Sequence, residues 1–210
     1  MTNRTYEQYC PVAVALDVLG DRWTLLVLRE LLFGDQRFTD LRRALPGMAP
    51  NLLSDRLRAL EDEGFVERRE LPPPAARTVY AATAAAHDVI PVLRALARFG
   101  ADRLEPVGAD DVRPSMAVFG MLAPFHRPDP AAPRQHNRLV LDGEEFDLLT
   151  DGDRLSARHR PDDRPDLVVT GPASAVVRAR QDGVPLGELA EISGTRAARR
   201  EFERRFSLPV

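Results

Sequence analysis

Four polar side chains share one edge of the run P-N-L-L-S-D-R-L-R-A-L-E-D-E-G. At about 100° per helical residue, Asn51, Ser54, Asp55 and Arg58 fall together, while Leu53, Leu57 and Leu60 fall on the opposite side. The polar set has the chemistry of base-edge recognition. Arg58 matches the paired acceptors of guanine, Asn51 matches adenine, Asp55 accepts from cytosine, and the Ser54 hydroxyl suits either role. Arg42, Arg43, Arg56, Arg68, Arg69 and Arg77 flank this run or the segments after it, where guanidinium groups neutralise phosphates or enter a minor groove. On periodicity alone, the same residues equally suit the solvated face of a small helix.

Other chemistry is sparse. His87, His126, His136 and His159 are scattered, and no H-E-x-x-H, phosphate-binding loop, dinucleotide glycine fingerprint or G-x-S-x-G occurs. His159 with Asp162 and Asp163 reads as a solvated loop cluster, so neither a metal nor a cofactor is expected, and the chain reads as a non-enzyme. Cys10 is the only cysteine, which excludes an internal disulfide. It is either a small residue packed at a helix or a sensor thiol, and reactivity would require a lowered pKa and access.

The elements that would position these residues follow from pattern. Val12, Leu16 and Leu19 mark a first helix ended by Gly20. Asp21 is placed to cap a second, which carries Trp23, Leu26, Val27, Glu30 and Leu31 and stops at Gly34. Thr39 is placed to cap a short third helix. Pro50 suits the first turn of the fourth, the one bearing the polar edge. F-V-E-R-R-E-L and T-V-Y-A-A-T, separated by a proline-rich loop, predict a β-hairpin. A helix over 84–103 follows, with Pro91 marking a kink or its true start. Together these make a winged helix-turn-helix, with residues 1–105 as the expected first domain.

Past E-P-V-G-A-D-D-V-R-P the character changes, and 112–210 is the expected second domain. R-L-V-L-D-G-E-E-F-D-L-L-T-D-G-D-R-L-S-A-R-H predicts three strands joined by tight D-G turns. P-D-L-V-V-T-G-P adds a fourth. Helices are expected up to Gly183, over V-P-L-G-E-L-A-E-I, and over T-R-A-A-R-R-E-F-E-R-R-F. Strands followed by helices predict an α+β domain with helices laid over an antiparallel sheet.

Composition frames this reading. All 29 basic residues are arginine, as a GC-rich coding bias produces, and the formal net charge is −3. The acidic balance counts mildly against a nucleic-acid partner, although a local arginine patch can act independently of net charge. The chain shows neither a signal-like N-terminus nor an apolar run long enough for a membrane, so a cytoplasmic protein without a membrane partner is expected.

Residues 10 to about 100 resemble the HxlR family of winged-helix regulators. The resemblance rests on C-P-V-A-V-A-L-D-V-L-G-D-R-W-T-L-L-V-L-R-E-L-L-F-G, then R-F-T-D-L-R-R-A-L-P-G-M-A-P-N-L-L-S-D-R-L-R-A-L-E-D-E-G-F-V-E-R and the Y-A-A-T strand. It implies a homodimer, built from the segment around Cys10 and the helix over 84–103, on inverted-repeat operators in double-stranded DNA. It also implies a thiol-sensing role for Cys10. Two departures stand out: T-A-A-A-H-D replaces the usual Thr-Glu-x-Gly after the hairpin, and Ala49 replaces a capping Ser. The second half resembles sterol-carrier-like domains, through D-L-V-V-T-G, L-G-E-L-A, S-G-T and F-E-R-R-F-S-L-P. That resemblance implies an apolar tunnel for a small-molecule effector. Its candidate lining is Phe119, Met121, Leu122, Phe125, Phe146, Leu148, Leu186, Leu189, Phe202 and Phe206, residue types that equally fill an ordinary core. The functional expectation is a dimeric operator-binding regulator, in the repressor sense. Its rival is an apolar-ligand carrier whose winged helix serves dimerisation.

Overall fold

The computed structural model describes residues 5–72, 77–101, 103–104, 112–125, 130–152, 154–159 and 164–206, without the side chains of 122–125 and 154–159. The chain divides into two compact units, Met1–Ile90 and Pro91–Val210.

The first unit runs α1 (Pro11–Leu19), α2 (Thr24–Leu31), α3 (Phe38–Ala44), α4 (Pro50–Asp62), β1 (Val66–Leu71), β2 (Arg77–Ala82) and α5 (Ala84–His87). Its core joins Val27, Leu28 and Leu31 of α2, Leu41 of α3, Leu53, Leu57 and Leu60 of α4, and Val66, Val79 and Ala81 of the hairpin, all buried. Each such leucine contributes roughly 1.5–3 kcal/mol by leaving water. The hairpin is antiparallel, with Val66 opposite Ala82 and Leu71 opposite Arg77. Two hydrogen bonds tie it to the start of α3: Gln36 N donates to Tyr80 O at 2.9 Å, and Tyr80 N to Gln36 O at 2.7 Å. Two helices, a tight turn and a following hairpin constitute a winged helix-turn-helix.

Several local expectations need correction. Asp21 does not cap α2 with its side chain; its backbone carbonyl accepts from Thr24 N at 3.2 Å, and Trp23 precedes the helix at φ +81°. The third helix starts at Phe38 rather than after Thr39, with Asp40 accepting from Arg37 N at 3.4 Å. The helix expected over 84–103 divides, and Pro91 marks the true start of its longer part, the second of the two readings of that proline. α5 stops at His87 and α6 (Ile90–Ala101) begins next to Pro91, which lacks the amide that a continuous helix requires.

The second unit continues from α6 through α7 (Pro114–Phe125), β3 (Gln135–Leu141), β4 (Glu144–Asp151), β5 (Arg154–His159), β6 (Leu167–Gly171), α8 (Ala173–Gln181), β7 (Glu191–Gly194) and α9 (Arg196–Phe206). The sheet order is β5-β4-β3-β6-β7. It is mixed, not antiparallel throughout as expected, because β6 pairs parallel to β3. Tight turns dictate only local antiparallel pairs. One of these is the turn at Asp142 and Gly143, where φ is +50° and +83° and glycine meets the second value without penalty. The parallel pair forms between strands far apart in sequence. The helix expected over V-P-L-G-E-L-A-E-I is instead a 3-10 turn, Leu186–Glu188, followed by edge strand β7. α7 was not anticipated from pattern.

Gln135, Asn137, Leu139 and Leu141 share one face of β3 with Phe146 and Leu148 of β4 and with Leu167 and Val169 of β6. All are buried. α9 lies over this face: the Ala198 carbonyl accepts from Gln135 Nε2 at 2.9 Å. Asp142 reaches from the β3–β4 turn to accept Ala173 N at 3.1 Å, capping a helix whose own N-cap is Pro172. Among the described residues, no helix is long and apolar enough to cross a membrane.

Candidate nucleic-acid interface

α4 is built to present its polar edge. Pro50 occupies its first turn, and Ala49 leaves the N-terminus without a side-chain cap. Leu53, Leu57 and Leu60 are at most 2% exposed, so the opposite edge faces out. Asn51 and Arg58 are exposed there; Ser54 and Asp55 are half-buried. Two internal contacts occupy part of this edge. Ser54 Oγ donates to Pro50 O at 3.2 Å, and Arg58 Nη1 sits 3.2 Å from Asp55 Oδ1. Both are local and exposed, so a base edge can replace them at little cost.

The arginines divide into groups. Arg42 and Arg43 are exposed in the last turn of α3. Arg68 and Arg69 are exposed on β1, where Arg68 pairs with Glu70 at 3.4 Å, and Arg69 with Glu67 and, at 3.5 Å, with Asp35. These carboxylates, the Glu67 hydrogen bond foremost, hold the Arg69 guanidinium above its ordinary pKa. Arg77 is half-buried at the start of β2. Arg56 departs from expectation: its side chain is only 16% exposed and its Nη1 donates to Asp21. Without DNA it is paired with Asp21 and held against the protein.

The base of the hairpin is secured despite the unusual T-A-A-A-H-D. Thr83 Oγ1 donates to Gly64 O at 2.7 Å and Thr83 N to Phe65 O at 3.0 Å, fixing the strand to the end of α4.

Cys10 is a free, half-buried thiol at the N-cap of α1. In that helix only Ala13 is buried, while Val12, Val14 and Leu16 are exposed. α6 likewise exposes Val92, Leu96 and Phe99. Of the candidate lining residues in the second unit, Met121, Phe146, Leu148, Leu186, Phe202 and Phe206 are buried, and the Phe202 and Phe206 rings meet at 4.9 Å. Phe119 and Leu189 are half-buried. The side chains of Leu122 and Phe125 lie outside the described residues, as do His126, Asp162, Asp163 and the His159 side chain.

Sequence reasoning missed two sets. One is the Arg56 contact with Asp21, which joins residues far apart in the chain. The other is a polar line on the covered sheet face: Gln135 Nε2 donates to Asn137 Oδ1 at 2.6 Å, and Thr150 Oγ1 to Gln135 O at 3.3 Å. The alternation Q-H-N-R-L-V-L held the only signal for the second, a period-two pattern whose inner positions begin polar. On the other face His136 Nε2 meets Asp147 Oδ2 at 2.5 Å, with Arg138 Nε 3.0 Å from Oδ1.

The HxlR-like helix-turn-helix family model matches residues 18–107. The uncharacterized HTH-type transcriptional regulator sll1512 of Synechocystis is 41% identical over 96 residues, spanning 46% of this chain and 71% of that protein. The uncharacterized HTH-type transcriptional regulator YvaP of Bacillus subtilis is 34% identical over 100 residues, spanning 47% and 93%. The solved structure of the reduced transcriptional regulator YodB from B. subtilis aligns at 27% identity and a TM-score of 0.41, covering 48% of this chain and 100% of that one.

Proposed function

Because the chain belongs to the HxlR-like helix-turn-helix family of transcriptional regulators, we propose that it is a homodimeric repressor that reads an operator through α4. The observation that carries this reading is the two-sided α4, with three leucines buried and Asn51, Ser54, Asp55 and Arg58 on the outward edge. A helix fits the major groove, and short side chains near its N-terminus reach base edges. Arg42 and Arg43 flank that helix, and Arg68, Arg69 and Arg77 line the hairpin, where they contact phosphates or an adjacent minor groove. The exposed apolar side chains of α1 and of α6 support the dimer, since such surface on a soluble chain marks an interaction face. Two recognition helices would enter successive major grooves, about one helical turn apart.

In this reading residues 1–105 serve DNA binding and dimerisation, and 112–210 form a sterol-carrier-like domain for an apolar effector. What supports it is the α+β arrangement, with α9 laid over one face of the sheet. Modification of Cys10 is a second route to regulation. Either effector acts only by binding two conformations unequally. The test is a mobility-shift titration on the DNA upstream of the gene at several salt concentrations. Sequence-selective, salt-dependent binding by a dimer is expected; no preference over random DNA at any salt overturns the reading.

A further inference from the structure

Residues 21–23 form a corner between α1 and α2 that bonds to the helix-turn-helix at one place and approaches it at another. The first contact is electrostatic. Arg56 extends from the flank of α4, and its Nη1 donates to Asp21 Oδ2. The arginine side chain is 16% exposed and the aspartate 64%. Arg56 Nε is buried without a hydrogen-bond partner among the described residues. A cation taken largely out of water depends on the carboxylate that compensates it. On the helical wheel Arg56 lies well round from Asn51 and Arg58, away from the edge proposed to meet bases.

The second feature is the Trp23 ring. Trp23 stands at φ +81°, a left-handed conformation that is an outlier for a bulky side chain. Strain of this kind persists only where the surroundings enforce it, and it gathers at functional and switch positions. The Trp23 ring reaches the turn between α3 and α4: its Cη2 atom lies 3.9 Å from where a Cβ on Gly47 would sit. Gly47 itself is at φ +84°, open to glycine and strained for other residues. The corner is thus hydrogen-bonded to the recognition helix and places the Trp23 ring beside the turn that launches it.

We propose that Asp21 and Trp23 are positioning residues for DNA recognition, setting the orientation of α4 through Arg56 and Gly47. This rests on the reading that α4 enters the groove, and it assigns Arg56 to orientation instead of phosphate contact. The two roles predict opposite results. If Arg56 met phosphate, removing the exposed Asp21 charge would free a cation and lower repulsion, so DNA would bind more tightly. If the pair positions α4, the same change weakens binding.

The experiment uses the full chain with Asp21→Asn, Arg56→Met, both together, and the exchange Asp21→Arg with Arg56→Asp. Operator affinity is measured across salt concentrations. Emission of Trp23, the only tryptophan, is recorded without DNA. Each single variant is expected to weaken operator binding roughly tenfold, with an unchanged salt slope. The double should be no worse than either single, and the exchange should recover most of the affinity. Arg56→Met should shift Trp23 emission and the exchange should restore it. Tighter binding by Asp21→Asn, or a slope flattened in Arg56→Met by about 0.9 for a lost phosphate contact, overturns the proposal. Should Arg56→Met fail to fold, Asp21→Asn decides alone, since the two roles predict opposite signs for its effect on operator affinity. If the wild-type chain binds no DNA, the functional reading fails, and unchanged Trp23 emission in the Arg56 variant sinks the corner separately.

Discussion

Arg58 rests against Asp55 at 3.2 Å on an exposed helix edge, a pairing that solvent and a guanine can both disrupt. Its substitution should therefore act on sequence choice. Arg58→Ala is expected to lose about 1–3 kcal/mol of discrimination at one base position, seen as a relaxed preference in competition with single-base operator variants. Arg43, exposed at the end of α3, should behave differently: Arg43→Ala weakens all sequences alike and lowers the salt slope by about 1. A titratable group in the second unit gives a prediction of another kind. Hydrogen bonding from Arg204, then from Arg205, together with their charges, holds the Glu201 carboxyl below its ordinary value, against desolvation that pushes it up. A depressed folded-state pKa means that the unfolded chain binds the proton more readily. The resulting stability is present above the ordinary glutamate pKa and fades as pH falls through the depressed one. Urea melts of wild type and Glu201→Gln should therefore differ at neutral pH and converge on acidification.

At the scale of the element, α4 combines a strong anchor with a weak start. Leu57 is 1% exposed, and Leu57→Ala should cost about 2–5 kcal/mol through lost burial and the cavity left behind. The start lacks a side-chain oxygen, because Ala49 stands at the N-cap with φ −66° and ψ 142°. A serine adopts those angles readily, so Ala49→Ser should raise stability by about 0.5–2 kcal/mol. Both values are read as shifts in the urea midpoint with an unchanged slope. A fall in stability for Ala49→Ser would show that the first turn of α4 finds its acceptors elsewhere.

For the whole molecule, the exposed apolar residues are where the proposed dimer can be tested. Phe99 is 64% exposed and Leu96 47% on α6, and a charge placed among them would stay buried and unpaired in a dimer formed there. Phe99→Glu should lower the sedimentation coefficient to that of a monomer and weaken operator binding, while the isolated fold stays intact by circular dichroism. A dimer that survives this change would place the interface elsewhere, with α1 and its exposed Val12, Val14 and Leu16 the next segment to test.

Periodicity and turn chemistry together determined the winged helix-turn-helix and the identity of its outward edge, whereas the side-chain caps expected at Asp21 and Thr39 did not form. Each of these signals is local: leucines spaced around α4, Pro50 at its start and Gly64 past its end, and in the second unit the D-G turns between β3, β4 and β5. They act within a few residues, so a linear reading captures them. Tertiary structure alone decided what depends on distant partners. Arg56 had the composition of a phosphate ligand, and only the tertiary fold brought Asp21 to it. β6 had the pattern of a strand, and only its place beside β3 made the pairing parallel. E-I-S-G had a helical neighbourhood until a free edge on β6 offered its hydrogen bonds to β7. Local rules set which elements a segment favours; which charges meet and which strands pair is settled by contacts that exist only once the chain has closed on itself.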